Sequence, residues 1–283
     1  MKKYKENLMR IVFLISACIS ILAVALICIF LFANGIPAMS KIGFFKFLSG
    51  TTWNPTADVF GIFPMILGSI YVTAGAILIG VPIGILTAIF MAHFCPKWMY
   101  KILKPFINLL AGIPSVVYGF FGLMVIVPTI RNMFGGSGSS MLAASIVLGI
   151  MILPTIIGVS EASLKAVPIS YYEGSLALGA SHERSVFFSV LPAAKSGISA
   201  SVILGIGRAI GETMAVIMVA GNQAIIPNGI LKGLRTLTAN IVMEMGYAAD
   251  LHREALIATG VVLFVFILII NLTFSLIKRR MQN

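Results

Sequence analysis

Long apolar runs alternate with short polar stretches along this chain. Six runs, at about 11–33, 62–92, 106–130, 141–160, 198–220 and 255–277, are long enough to matter, and only the fifth contains charged side chains. A helix needs about 20 apolar residues to cross a bilayer core about 30 Å thick. Backbone groups in lipid must pair within their own segment, so such runs fold as helices. The pattern predicts an all-α, polytopic membrane protein with six transmembrane helices. The first run follows a basic head (Lys2, Lys3, Lys5, Arg10) and has the layout of a secretory signal. It exceeds the about 7–15 apolar residues of such a signal, so it is expected to stay as an anchor. Residues 1–10 then form a short terminus and 11–283 one transmembrane domain. Pro82, Pro114, Pro128 and Pro154 mark expected bends. The small residues of "GSIYVTAGAILIG" (68–80) mark places where helices approach closely.

Composition agrees: 59% of residues are hydrophobic and 10% charged, outside the range of soluble domains. A net charge of +11 raises the question of nucleic acid, and its distribution answers it. Thirteen of the 20 Lys and Arg fall in 1–10, 93–105, 161–197 and the tail; six fall in the alternate segments, and the last is Arg208. That asymmetry orients a membrane protein, with both termini, 93–105 and 161–197 in the cytoplasm. The expected location is a bacterial-type inner membrane, with no nucleic-acid partner. Cys18 and Cys28 share the first run and Cys95 lies in a loop, which leaves no disulfide framework. "SHERS" (181–185) begins like a zinc-protease motif, but Val186 stands where the second histidine belongs. "GGSGSS" (135–140) reads as a flexible turn. No Gly-x-x-x-x-Gly-Lys-Ser/Thr occurs, so no nucleotide cofactor is expected on this chain, nor any metal, and it is not read as an enzyme.

The two charges in the fifth run carry the chemistry. Arg208 lies about ten residues from either end of its segment, roughly 15 Å deep at 1.5 Å per residue. A lone charge there costs at least about 2.5–3.5 kcal/mol, so it faces the bundle interior or an aqueous path and is a functional candidate. Arg208 and Glu212, at i and i+4, share one face of the helix and are expected to pair. Arginine keeps its charge and offers an oxyanion a planar fork of donors. The alternative is a closed ion pair that only fixes helix packing. Ser115 and Tyr118 beside Pro114, and Thr213 and Asn222 after Glu212, either line a path or bond between helices.

The loop 161–197 has helical composition at 170–188, interrupted by Gly179 and bounded by Pro168 and Pro192. An isolated short helix gains little stability by itself; it rests on lipid or fits another protein. Here "EGSLALG" (173–179) and the later Leu191–Pro192 resemble the EAA loop of ATP-binding-cassette (ABC) importer permeases. Gly174 and Ser175 replace that loop's two alanines, and Ser189 its isoleucine. The resemblance implies a type I ABC importer permease fold with a coupling helix docked on a cytoplasmic ATPase through Glu173, Gly179, Leu191 and Pro192. "GRAIGETMAV" (207–216), "AGIPSVVYGFFG" (111–122), "WNP" (53–55) with "FGIFPMILGS" (60–69), and "LRTLTANI" (234–241) together resemble permeases of the high-affinity phosphate importer, Pst, of the PstC type.

That second resemblance implies import of inorganic phosphate past Arg208 and Glu212. It also implies a PstA-like second permease, PstB-like ATPase subunits that use ATP and Mg, and a PstS-like phosphate-binding protein facing 34–61 and 221–254. Other readings stay open. They are another oxyanion such as sulfate or molybdate, a secondary transporter with Glu212 as proton carrier, and a structural membrane subunit.

Overall fold

The structure, a computed structural model, describes residues 2–282, with side chains from Glu6 to Thr273 and that of Leu276. The cations Lys2, Lys3 and Lys5 and Lys278, Arg279 and Arg280, counted in the charge asymmetry, lie outside the described side chains. Among the described residues, five helices are long and apolar enough to cross a membrane. They belong to α1 (Lys2–Ile42), α3 (Phe63–Phe94), α5 (Ser115–Phe134), α6 (Met141–Lys165) and α12 (Asp250–Gln282). The bent pair α8 (His182–Ala193) and α9 (Lys195–Gly211), angled by 69° where they join, brings the count to six if the pair is taken as one span. Between these lie α2 (Phe44–Ser49), α4 (Lys97–Gly112), α7 (Ile169–Ala177), α10 (Met214–Val219) and α11 (Leu237–Glu244). Two short strands, β1 (Trp53–Asn54) and β2 (Val59–Phe60), pair antiparallel with Trp53 opposite Phe60.

All six expected segments are helical, but three differ in extent. The first is much longer than 11–33: α1 runs on through Gly35 and Pro37 and ends at Ile42, before Gly43, whose φ of +96 favours glycine. The segment expected at 106–130 is two helices. Pro114 has no N–H to continue α4 and forces Ile113 into extended backbone (ψ 126), so the crossing starts at Ser115. The segment expected at 198–220 is also broken. Glu212 is extended (ψ 132), which separates α9 from α10.

Of the four prolines expected to mark bends, Pro114 ends α4 and Pro128 follows a π-turn. Pro82 and Pro154 sit inside uninterrupted helices. Three five-residue π-turns, Phe90–Phe94, Gly122–Ile126 and Val186–Val190, each end two residues before a proline: Pro96, Pro128 and Pro192. A proline ring clashes with the carbonyl four residues back, and a wider turn relieves the clash.

The α3–α6 pair forms the centre. Gly75, Gly80 and Gly84 of α3 face Ser145, Ile152 and Ile156 of α6 with no space for a Cβ, as the small-residue stretch led us to expect. Val72, Ala76, Leu148, Met151 and Ile152 are buried there with Ala215 and Val219 of α10. The upper end of the molecule comprises residues 43–62, 131–142 and 220–254. Phe47, Ile62, Met65, Leu237 and Leu256 form its apolar core. The lower end comprises residues 90–105 and 161–197, with Ala88, Leu164, Val186 and Val190 at its core. On α1, by contrast, an 18-residue apolar stretch has no buried residue.

Candidate permeation site

The break after Gly211 changes the geometry expected of Arg208 and Glu212. They do not share a helix face, and neither belongs to any ion pair among the described residues. Arg208, half-buried on α9, donates from Nη1 to Thr155 Oγ1 of α6 at 3.3 Å. Glu212 turns the other way. Its Oε1 accepts from the Ala215 N–H at 3.0 Å, which satisfies one of the amides left open at the start of α10. Thr238 Oγ1 donates to the Glu212 carbonyl at 3.1 Å and so anchors the break to α11. Thr213 lies within the break, its hydroxyl 3.3 Å from the Gly211 carbonyl. The guanidinium has five N–H donors, and the neutral Thr155 takes one. The rest can meet an anion, and the carboxylate that would have masked them is occupied elsewhere.

Tyr118 and Ser115 belong to the first turns of α5. Tyr118 is buried and donates to the Leu110 carbonyl of α4 at 2.7 Å, across the Pro114 break. Ser115 is half-buried at the start of α5. One turn on, α5 meets α10 with no gap: a Cβ at Gly119 would lie 2.7 Å from Met218 Sδ and 2.9 Å from Ala215 Cα. The stretches 115–122 and 208–216 thus come together around one helix break. Asn222 lies just above; its side chain donates to the Ile217 carbonyl at 2.7 Å, closing the end of α10.

The remaining motif residues gather at the upper end, in the segments 34–61 and 221–254 expected to face a binding protein but without named site residues. Glu244, buried at 6% exposure, accepts from Trp53 Nε1 at 2.8 Å, from Arg235 Nη1, and is 2.9 Å from His252 Nε2. Arg235 also donates to Asn240 Oδ1 at 2.9 Å and to the Asn222 carbonyl at 3.0 Å. Phe60 stacks on His252 and meets Trp53 edge-on. This network clamps the β1–β2 hairpin to α11 and α12. "WNP" and "LRTLTANI" supply Trp53, Arg235 and Asn240, while Glu244 carried no signal beyond being a carboxylate near an apolar run.

At the lower end, α7 holds Glu173 exposed, Gly179 follows with φ +85, and α8 begins at His182. The helix expected at 170–188 is therefore two helices with Gly179 at the corner, as its position suggested. Leu191 is half-buried and Pro192 exposed, on the last turn of α8. Tyr172 OH and His182 Nδ1, 2.7 Å apart, tie α7 to α8, and Phe94 packs edge-on against His182. Glu161, also missed, is 2% exposed and bonded to Lys104, Lys165 and Tyr100. The i, i+4 spacing of Glu161 and Lys165 was the signal available for it.

Comparison with known proteins places the arrangement. The family described as binding-protein-dependent transport system inner membrane component matches residues 80–283. A probable ABC transporter permease protein, YqgH, of Bacillus subtilis (strain 168) is 41% identical over 271 residues, covering 91% of this chain and 88% of the relative. The phosphate transport system permease protein PstC of Mesorhizobium japonicum is 35% identical over 265 residues, covering 86% and 81%. Among solved structures, an ABC transporter for import of the acidic polysaccharide alginate superposes with a TM-score of 0.65 at 15% identity, over 96% of both chains. An inward-facing form of the MetNI methionine ABC transporter gives 0.62 at 19%, over 81% of this chain and 99% of the other. These two share the fold. The chain is a permease subunit rather than an enzyme, and ATP hydrolysis rests with separate ATPase subunits. It belongs to the family of binding-protein-dependent transport system inner membrane components, as a membrane-spanning permease of an ABC importer.

Proposed function

We propose that this permease carries inorganic phosphate into the cytoplasm and that Arg208 meets the anion on its way. The observation that carries the reading is the half-buried guanidinium beside a broken helix, bonded to a neutral threonine and, among the described residues, to no carboxylate. A buried charge left in that condition is costly unless a ligand compensates it. The fork suits a tetrahedral oxyanion, since two oxygens accept from one planar group. Glu212 keeps the break open by capping α10; Thr213, Ser115 and Tyr118 stand around the same passage. The PstC relatives support phosphate over other oxyanions.

In this reading residues 11–283 are one transmembrane domain and both termini lie in the cytoplasm. The upper end then receives a PstS-like binding protein. A PstA-like permease completes the path, and α7 docks on PstB-like ATPase subunits through Glu173 and the Gly179 corner, with Leu191 and Pro192 as the support behind them. Orientation is checked by an impermeant thiol reagent: Ser137→Cys and Asn228→Cys react in intact cells, and Ser181→Cys only after the membrane is opened. Labelling of Ser181→Cys from outside would reverse the assignment.

The deciding experiment is uptake of labelled phosphate by the complex reconstituted with its partner subunits. Unlabelled phosphate should compete and equal excesses of sulfate or molybdate should not. Competition by sulfate or molybdate as strong as by phosphate, or uptake that proceeds without ATP, would refute the proposal.

A further inference from the structure

A single buried carboxylate at the lower end holds three donors on two oxygens. Glu161 Oε2 accepts from Lys104 Nζ at 2.6 Å, and Oε1 accepts from Lys165 Nζ and Tyr100 OH, both at 2.7 Å. Lys165 also donates to Tyr100 OH at 2.9 Å and sits 4.1 Å from the centre of its ring. Two of these groups, Glu161 and Lys165, belong to the last turns of α6, three residues before α7 begins at Ile169. The other two, Tyr100 and Lys104, belong to α4.

Helix α4 has little else to hold it. Trp98, Ile102, Phe106 and Leu109 are more than half exposed, and its contact with the bundle is Ile107 packed on Met91 and Ile157, with Tyr100 and Leu103 alongside. Its far end is tied to α5 by the Tyr118–Leu110 hydrogen bond. There α5 meets α10 at Gly119 without spare room, and α10 is capped by Glu212. Packed, discrete contacts of this kind carry displacement because cores do not deform continuously.

We propose that Glu161 is a positioning residue that makes α4 a lever between α7 and the helix break holding Arg208 and Glu212. Movement imposed on α7 shifts the end of α6, the carboxylate drags Tyr100 and Lys104, and α4 passes the shift through Tyr118 to α10. The inference rests on the docking of α7 against an ATPase.

The test reads the far end of the lever without any transported ion. In the assembled transporter, with Cys18, Cys28 and Cys95 replaced by serine, Met214→Cys is labelled by a maleimide with and without ATP plus vanadate. ATP should change the labelling rate in the parent, and Glu161→Gln should shrink that change about fivefold to tenfold, inside the span of coupling effects of this kind. Tyr100→Phe, which keeps both ion pairs, should shrink it less. Glu161→Gln with Tyr118→Phe should do no more than Glu161→Gln alone, because both break one chain of contacts. A parental response in assembled Glu161→Gln overturns the proposal, as does a parent rate indifferent to ATP. If Glu161→Gln fails to assemble, an undiminished response in Tyr100→Phe overturns it instead. Glu173→Lys separates the two readings: assembly and response unaffected by it refute docking, whereas response lost in Glu173→Lys but kept in Glu161→Gln refutes the lever alone.

Discussion

The molecule contains two arginine–glutamate sites close in sequence and opposite in condition. At the upper end, Arg235 and Glu244 meet directly, and every neighbour joins in: Trp53, His252, Asn240 and the Asn222 carbonyl. At the helix break, Arg208 and Glu212 are only four residues apart and look past one another, to Thr155 and to the Ala215 amide. A buried carboxylate with several donors has its charge compensated by the fold itself. A guanidinium with one neutral partner has most of its donors left for something that arrives. On the reading proposed here, the first arrangement is architecture and the second is a site.

That contrast is open to attack, beginning where the effect is largest. Glu244→Ala leaves Arg235 buried without its anion and should destabilise the assembled permease by about 3–5 kcal/mol. Thermal unfolding in detergent checks it, and a melting temperature equal to the parent's would show that the network is not structural. Arg208→Gln should melt like the parent yet lose phosphate uptake about a hundredfold, since charge-assisted hydrogen bonds contribute about 1.5–3 kcal/mol each. Loss of stability with retained uptake would exchange the two roles. Arg208→Lys keeps the charge without the fork, so uptake should fall about tenfold rather than vanish. Exchanging Arg208→Glu with Glu212→Arg should leave almost none, because a carboxylate then stands in the anion's path; near-parental uptake would make the two a packing device. Glu212→Ala removes a cap worth about 1 kcal/mol, and hydrogen exchange at the start of α10 should quicken without global unfolding. Smallest of all, Lys41→Ala breaks an exposed pair with Glu254 and should change stability by less than about 1 kcal/mol.

Much of this was legible before any coordinates. The apolar runs set the number of crossings, Gly179 marked the corner between α7 and α8, and the buried arginine stood out because charge is otherwise excluded from the runs. The i, i+4 pairing of Arg208 and Glu212 did not survive, because it presumed a continuous helix. Within "GRAIGETMAV" the one sign of a break at this point is Gly211, where α9 ends, and the extended Glu212 is held by partners on other elements. The upper network was illegible for a related reason. Trp53 and Glu244 are 191 residues apart, and only the pairing of α11 and α12 with the hairpin brings them to 2.8 Å.

The sequence by itself determined that the chain crosses a membrane, how many times, and that its basic residues concentrate in alternate segments. Those properties follow from the transfer cost of each side chain, which is local and additive along a run. Tertiary structure alone decided which charges are neutralised: Glu161 by two lysines from α4 and α6, Glu244 by Arg235, and Arg208 by no carboxylate among the described residues. Neutralisation depends on distances of about 3 Å between side chains. Such distances are set by where helices break and pack, and hydropathy along the chain carries no record of them.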